Sequence, residues 1–499
     1  MRIVIVKKLF SCLKMKKKWS AKFWCWVKGI PAKPEHRPVV GGVYFDITDV
    51  VHFAMRENRV TGIQRVQIRM VNAFAELRGE STFIAYEDPL DGRMTVLPAR
   101  GLLGGVEFDA VLLLAKLGLI SWRRFPKKKQ IVGLLEGKPG RFRVWGEQLK
   151  VYAMAFFSPL KLSQKGILTA GRSSRGLRIS SEFVSTGLGG CALVFLGTNW
   201  KYAGVHRFAS LAKMEGCRVY QLVHDLIPIR QPHFCGGAVT ADFSGFLDAS
   251  LMFASHYLAV SDYTARDLAA YLSSKGFRRS VEVLKLAHEF SGFSRGEVLD
   301  PPPGVSKPYF LFVGTLDRRK NIENLLQAWL RLKDESSDAM MPALVIAGKP
   351  GWDSADFFDA LCVSGELGRS IVYERAPSDE LLARLYANCE AVILPSYAEG
   401  WGLPVGEAAW FGKPSIISNC SSLPEVCPDL SFLLDGLDAE SIAQGVMRFM
   451  ARGKKLSSSD GVWRSASSVS LRTWRDVACR LSEVIDADER MDDRINLIG

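Results

Sequence analysis

Short, unbroken apolar runs recur through this chain, and no other feature narrows its fold so far. VYFDIT (43–48), FDAVLLLA (108–115), ALVFLG (192–197) and VYQLVHD (219–225) lie in the first half; YFLFVGTL (309–316), ALVIAG (343–348), SIVYE (370–374), EAVILP (390–395) and PSIIS (414–418) lie in the second. Most are apolar at successive positions rather than at every other one, which is the pattern of parallel strands covered on both faces. Helical patterns separate them, as in IQRVQIRMVNAFAEL (63–77) after a turn at Gly62 and in SDELLARLYANC (378–389). Pro301, Pro302 and Pro303 stand between the two sets, and the α/β pattern restarts after them. A chain of 499 residues exceeds what one core usually supports. The expectation is therefore α/β, with two Rossmann-like, doubly wound parallel-sheet domains facing a central cleft. The first spans 39–300 with an insertion at about 116–190, and the second spans 301–470. A closing helix and tail occupy 471–499, where SVSLRTWRDVACRLSEVI (468–485) has helical spacing. Ligands of such sheets sit beyond the carboxyl ends of the strands, which places the site in the cleft.

Charge is spread unevenly. The formal net charge is +13, and residues 1–38 carry eleven Lys and Arg against Glu35 alone. That concentration argues against a nucleic-acid surface running over the whole protein and for a basic leader facing an anionic partner. Within it, Met15, Trp19, Phe23 and Trp26 fall at near-helical spacing with lysines mostly elsewhere, which suits a helix lying on an anionic membrane surface. Ten cysteines are scattered without a C-x-x-C pair or zinc spacing, so neither a metal site nor a disulfide framework is indicated. No run of about twenty apolar residues offers a membrane-spanning helix. The expected location is cytoplasmic, with peripheral attachment to the inner face of the cytoplasmic membrane as the refinement. The basic, Gly-rich stretch 116–190 suggests no function.

The chemistry concentrates in ILPSYAEGWGLPVGEAAWFGKPSIIS (393–418), a strand, a Gly-rich turn and a short helix. Gly400 and Gly402 permit close backbone approach, and a helix N-terminus behind them would present N–H groups to anionic oxygens. Glu399 and Glu407 stand eight positions apart, and Glu407 could accept hydrogen bonds from vicinal hydroxyls. Paired acids at this spacing are also common on solvated helices.

With its neighbours this segment resembles the retaining GT-B glycosyltransferases of family 4, the bacterial mannosyltransferase-like group 1 enzymes, whose E-x7-E signature reads E-G-F/W-G-L-P-x-x-E-A. The resemblance implies that Glu407 binds the donor ribose and that Glu399 lies against the transferred sugar. It implies that the amides of Gly402 and Leu403 face the diphosphate or sugar. FVGTLDRRKNIENLLQAW (312–329) is similar to the family's phosphate-binding strand, loop and helix. It implies a diphosphate site at Gly314, Thr315, Arg319 and Lys320, with Thr315 where many members have arginine. VTGIQRVQIRMV (60–71) resembles the N-terminal glycine loop and helix, placing Gly62 near donor or acceptor. LVHDLIPIRQP (222–232) resembles the H-D-x-x-P strand end, placing His224 and Asp225 beside the reacting sugar. Arg375 stands where many relatives have glycine near the base-binding turn, which leaves the base open.

The implied activity is retaining transfer of a hexose, mannose being the specific candidate, from a GDP- or UDP-linked sugar to a carbohydrate or lipid-linked acceptor in surface polysaccharide or glycoconjugate synthesis. No metal and no further cofactor are expected. Rival readings are a phosphorylase or sugar-nucleotide epimerase of the same fold, or a non-catalytic scaffold docking on membranes. Lys320 and Glu407 are expected to converge on one hollow.

Overall fold

The computed structural model describes residue 39, residues 41–57, 60–89, 92–103, 108–119, 121–122, 168–169, 177–178, 188–305, 308–335, 342–351, 353–455 and 469–498. The leader 1–38 and nearly all of the 116–190 stretch lie outside the described residues.

Two sheets organise the chain. The first holds β1 (Val43–Asp46), β2 (Thr82–Glu87), β3 (Met94–Pro98), β6 (Leu177–Arg178), β7 (Ala192–Phe195), β8 (Arg218–Val223), β9 (His256–Ala259) and β10 (Val281–Val283), in the order β10-β9-β8-β7-β1-β2-β3-β6. From β10 to β2 every neighbour is parallel; β3 pairs antiparallel with both β2 and β6. The chain runs outward from β1 in both directions, as doubly wound sheets do. A separate antiparallel pair joins β4 (Ser121–Trp122) to β5 (Leu168–Thr169).

The second sheet is parallel throughout, in the order β13-β12-β11-β14-β15-β16. Its strands are β11 (Tyr309–Val313), β12 (Ala343–Gly348), β13 (Ile371–Arg375), β14 (Ala391–Leu394), β15 (Ser415–Ser418) and β16 (Ser431–Leu434). Their continuous apolar sequences follow from burial on both faces. Phe310 and Phe312 of β11 enter one core while Tyr309 and Leu311 enter another. The helix Ile322–Glu335 seals the first of these with Leu325, Leu326, Trp329 and Leu332, an i, i+1, i+4, i+7 stripe.

One sequence expectation is corrected. FDAVLLLA (108–115) is not a strand: Ala110–Lys116 is a helix, N-capped by the Asp109 carboxylate, which accepts the Leu112 N–H at 2.9 Å. A short apolar run fits a buried helix as well as a buried strand, and the capping aspartate decides between them here. The strands β2, β3, β9, β10 and β16 were not among those expected.

The helix Trp474–Ile498 closes the molecule by returning to the first lobe, where Val477, Leu481, Val484 and Ile485 join its core. Polar clamps fix it there. Arg78 pairs with Asp486 and Arg218 with Glu489, while Tyr220 Oη donates to Asp488 at 2.8 Å. The lobes also meet directly. Glu425 of the second accepts the N–H groups of Asp262 and Tyr263, both at 2.7 Å, capping the helix Asp262–Ser274 of the first, and Phe234 stacks on Tyr397 at 5.5 Å. Among the described residues no helix is long and apolar enough to cross a membrane.

Candidate active site

The loop after β11 delivers the cations. Asp317 accepts the Lys320 N–H, closing a single helical turn at Arg318–Lys320, and Asn321 follows in the left-handed conformation at φ 58°. The Arg319 carbonyl accepts the Tyr397 N–H at 2.9 Å, tying this loop to the one after β14. Gly348 is confined to glycine, since a Cβ there would collide with the Gly314 carbonyl. Thr315 is exposed on the same turn.

Both cations point at Glu399. Lys320 Nζ lies 2.5 Å from its Oε1, and Arg319 Nη1 lies 2.9 Å from its Oε2 and 2.6 Å from the Ala398 carbonyl oxygen. Ser396 Oγ adds a hydrogen bond to Oε1 at 2.7 Å. The backbone is held as well: Ser421 Oγ accepts the Glu399 N–H and Ser422 Oγ donates to its carbonyl. Ser421 takes a left-handed φ of 50°, a conformation that costs energy for a side-chain-bearing residue and recurs where geometry is over-determined. Burial alone would raise the Glu399 carboxyl, but Arg319 and Lys320 hold it down at about 2. Arg319 is itself raised: burial works against its charge, and Glu399, Asp317 and Asp225 together more than offset that.

Eight residues on, Glu407 lies in the helix Leu403–Trp410, with 4% of its surface exposed. Gly402 caps this helix at φ 105°, where a side chain would be strained and would collide with Leu423. Glu407 Oε2 accepts the Tyr386 hydroxyl at 2.7 Å, and Oε1 meets Arg65 Nη1 at 2.6 Å. Arg65 belongs to the first lobe, on the helix Gly62–Arg78, whose start is fixed by a capping box between Thr61 and Gln64. Burial raises the Glu407 carboxyl, and the Arg65 charge opposes this only in part.

Lys320 and Glu407 are held by different partners in this geometry. A cavity between the lobes is lined by Glu407, Arg65, Arg69, Glu289, Asp379 and Trp474 among others, and neither Lys320 nor Arg319 lines it. Each acid is neutralised separately, one within its own lobe and one across the cleft.

The remaining expected residues border this seam. A Cβ on Gly400 would collide with the His224 carbonyl oxygen, so the Gly-rich loop needs that glycine to pack on the first lobe. His224 follows β8, its ring Nε2 within 2.8 Å of the Leu196 carbonyl. Burial lowers its imidazole and raises the adjacent Asp225 carboxyl, the latter opposed by Arg319. Gly62 faces the Leu403 side chain across the lobes. Arg375 is exposed at the end of β13, and the left-handed residue of the turn that follows is Ala376 at φ 51°.

Sequence reasoning missed Arg65, Tyr386, Ser396 and Ser421. Arg65 sits inside the stretch singled out for Gly62, and an arginine so close to that helix's start was the available signal. Tyr386 reads as an ordinary core position of its helix, and only the fold puts its hydroxyl on Glu407.

Residues 301–459 match the family model described as Glycosyl transferases group 1. Over 245 residues the chain is 30% identical to the serotype-specific mannosyltransferase WbdA of Escherichia coli, covering 46% of this chain and 29% of that protein. Over 225 residues it is 31% identical to the O-antigen chain mannosyltransferase B of Escherichia coli, covering 44% of this chain and 56% of that one. The chain thus spans less than two thirds of each of these relatives. Its fold is similar to the Anabaena protein HepE in complex with UDP and glucose, with a TM-score of 0.53 at 13% identity, covering 91% of this chain and 100% of that chain. The two facing parallel-sheet lobes are the GT-B fold.

Proposed function

We propose that this protein is a retaining hexosyltransferase that moves mannose from a GDP- or UDP-linked donor to a carbohydrate or lipid-linked acceptor in surface polysaccharide synthesis. The observation that carries the reading is the cluster of buried Lys320 and Glu399 with half-buried Arg319 at the strand ends of the lobe that matches the group 1 model. The sugar and the setting are taken from the mannosyltransferase relatives.

A nucleoside diphosphate leaving group gains negative charge as its bond to the sugar breaks. Fixed cations stabilise that charge more in the transition state than in the ground state, which is what raises the rate. Lys320 and Arg319 supply them without a metal, releasing Glu399 to the hydroxyls of the transferred sugar. Glu407, with Tyr386 behind it, accepts from the ribose hydroxyls. The two glutamates do not act as a glycosidase pair. The acceptor attacks on the face the diphosphate leaves, and the departing phosphate takes its proton. The leader 1–38 attaches the enzyme to the inner face of the cytoplasmic membrane.

The test is turnover of a nucleotide-sugar panel with mannose oligosaccharide acceptors, reading the anomeric configuration of the product by proton NMR. GDP-mannose or UDP-hexose consumption with an α-linked product supports the proposal. An inverted product removes the retaining step, and no binding or turnover of any nucleotide sugar removes the enzyme reading. Liposomes containing anionic lipid should retain the full chain and release one lacking residues 1–38; equal retention refutes the anchoring role.

A further inference from the structure

The charges that face Glu399 come from its own lobe, but the segment that holds its backbone is pinned to the other one, and Glu425 makes the join. Helix Asp262–Ser274 of the first lobe begins with N–H groups that its own turns leave without partners. Ser261 Oγ accepts the Thr264 N–H at 3.0 Å. The two N–H groups before it, of Asp262 and Tyr263, go to the two carboxylate oxygens of Glu425 at 2.7 Å each. A carboxylate suits this end of a helix, where the backbone dipoles leave positive charge, and its hydrogen bonds are of the stronger, charge-assisted kind. Lys285, on the stretch that leads out of the first lobe, stands 2.6 Å from Asp262 and 3.9 Å from Glu425, between the two acids.

The roles above give Glu425 no task in the donor chemistry, yet its short helix, Leu423–Val426, is tied to the site at both ends. Just before it, fully buried Ser422 donates to the carbonyls of Glu399 at 2.9 Å and Trp401 at 3.1 Å, and Ser421 accepts the Glu399 N–H at 2.8 Å. At its far end the Val426 carbonyl lies 2.8 Å from Nε2 of His288, whose Nδ1 accepts the Arg472 N–H at 2.8 Å. His288 and Arg472 lie on the two stretches of chain that pass between the lobes. On the first lobe, Thr264 Oγ1 donates at 3.3 Å to the His224 carbonyl, against which Gly400 packs. The start of one helix thus reaches the Glu399 loop by two routes, through Glu425 with the serines and through His224 with Gly400.

We propose that Glu425 is a positioning residue for the transfer step: by gripping the start of helix Asp262–Ser274 it sets the lobe arrangement in which the Glu399 loop meets the first lobe. The grip is of a kind that can release. It is polar, and 17% of the Glu425 side chain is exposed, so water can take over its hydrogen bonds when the lobes part, at a smaller net cost than their gross strength. Lys320 and Arg319 reach a diphosphate from within the second lobe, so Glu425 governs turnover rather than nucleotide binding.

This inference rests on the transferase reading, and two readouts keep them apart. Hydrogen–deuterium exchange on the full chain compares wild type with Glu425→Ala and with Glu425→Gln, which keeps the shape and one acceptor oxygen and so guards against a folding defect in the alanine variant. Exchange in Glu425→Ala is expected to rise at 262–265 and also at 396–403, by at least about fivefold, with 310–316 unchanged and Glu425→Gln intermediate. Faster exchange at 262–265 alone is what a simple helix cap would give, and it overturns the proposal. Kinetics with GDP- and UDP-hexoses and methyl α-mannobioside should show kcat lowered about tenfold or more in Glu425→Ala and less in Glu425→Gln, with donor KM within about threefold. An unchanged kcat, or a loss carried by donor KM, also overturns it. Should wild type turn over none of these sugars, the transferase reading falls, and exchange at 396–403 still decides whether Glu425 sets that loop.

Discussion

Glu399 and Glu407 are both buried, eight residues apart, and electrostatically opposite. Glu399 receives two cations from its own lobe and is held at about 2. Glu407 receives one, from the opposite lobe, and burial leaves it raised. Asp46, at the end of β1, extends the series: burial, opposed by bonds from Thr48 and aided by Asp49, takes it up to about 8. Protonation at these sites follows how many fixed cations face each acid, because desolvation penalises the charged form of all three. The contrast also separates two kinds of site. The Glu399 environment is complete within one lobe, whereas that of Glu407 exists only while the lobes are together.

The largest effect that sharpens the contrast is expected from Lys320→Ala. It removes a cation meant to meet the leaving diphosphate, and should lower kcat/KM for the donor by about 10²–10³-fold. Lys320→Arg should recover part of it. Steady-state kinetics check both, and a Lys320→Ala variant within a few-fold of wild type would erase the distinction between the clusters.

Glu407→Gln comes next. It keeps the shape but loses the carboxylate, so donor KM should rise about 10–100-fold, the range of a hydrogen bond to a charged group, with a smaller change in kcat. A change in kcat alone would assign Glu407 to the reacting centre rather than to the ribose.

Arg65→Ala tests the contact across the lobes. Without its cation Glu407 is pushed further up, and a carboxyl with a raised folded-state value adds stability at low pH that is lost as pH rises through that value. The variant should therefore melt close to wild type at pH 5 and clearly below it at pH 8, read by thermal unfolding. Equal deficits at both pH values would show that the ion pair does not govern Glu407.

Asp46→Asn should give the smallest change, and one confined to the first lobe. Asp46 goes from an ordinary unfolded value near 4 to about 8 on folding, so wild-type stability falls as pH rises across that window, by at most about 1.4 kcal/mol per pH unit. The asparagine variant should flatten the slope; an unaltered slope would place the titration elsewhere.

How much of this could be read in the sequence follows the same division. Lys320, Arg319 and Glu399 lie in two motifs of one lobe, each an apolar strand running into a polar loop, and that local order carries their positions. The series β11, β12, β13, β14 and β15 was legible for the same reason, since strands covered on both faces are apolar throughout. β2 and β9 were not, although they too are buried, because TFIAYE and HYLA each mix polar and apolar residues. Arg65 on Glu407, Tyr386 behind it and Glu425 capping a helix of the other lobe depend on how two distant stretches meet, which no local pattern encodes.

The central claim is that the cations opposite Glu399 serve a nucleoside diphosphate and do not merely balance a buried acid. Calorimetric titration of GDP and UDP into wild type and Lys320→Ala tests this most directly. One of the two nucleotides is expected to bind wild type at a single site and to weaken about a hundredfold in the variant. Indistinguishable affinity in the two proteins, with the variant folded, would contradict it.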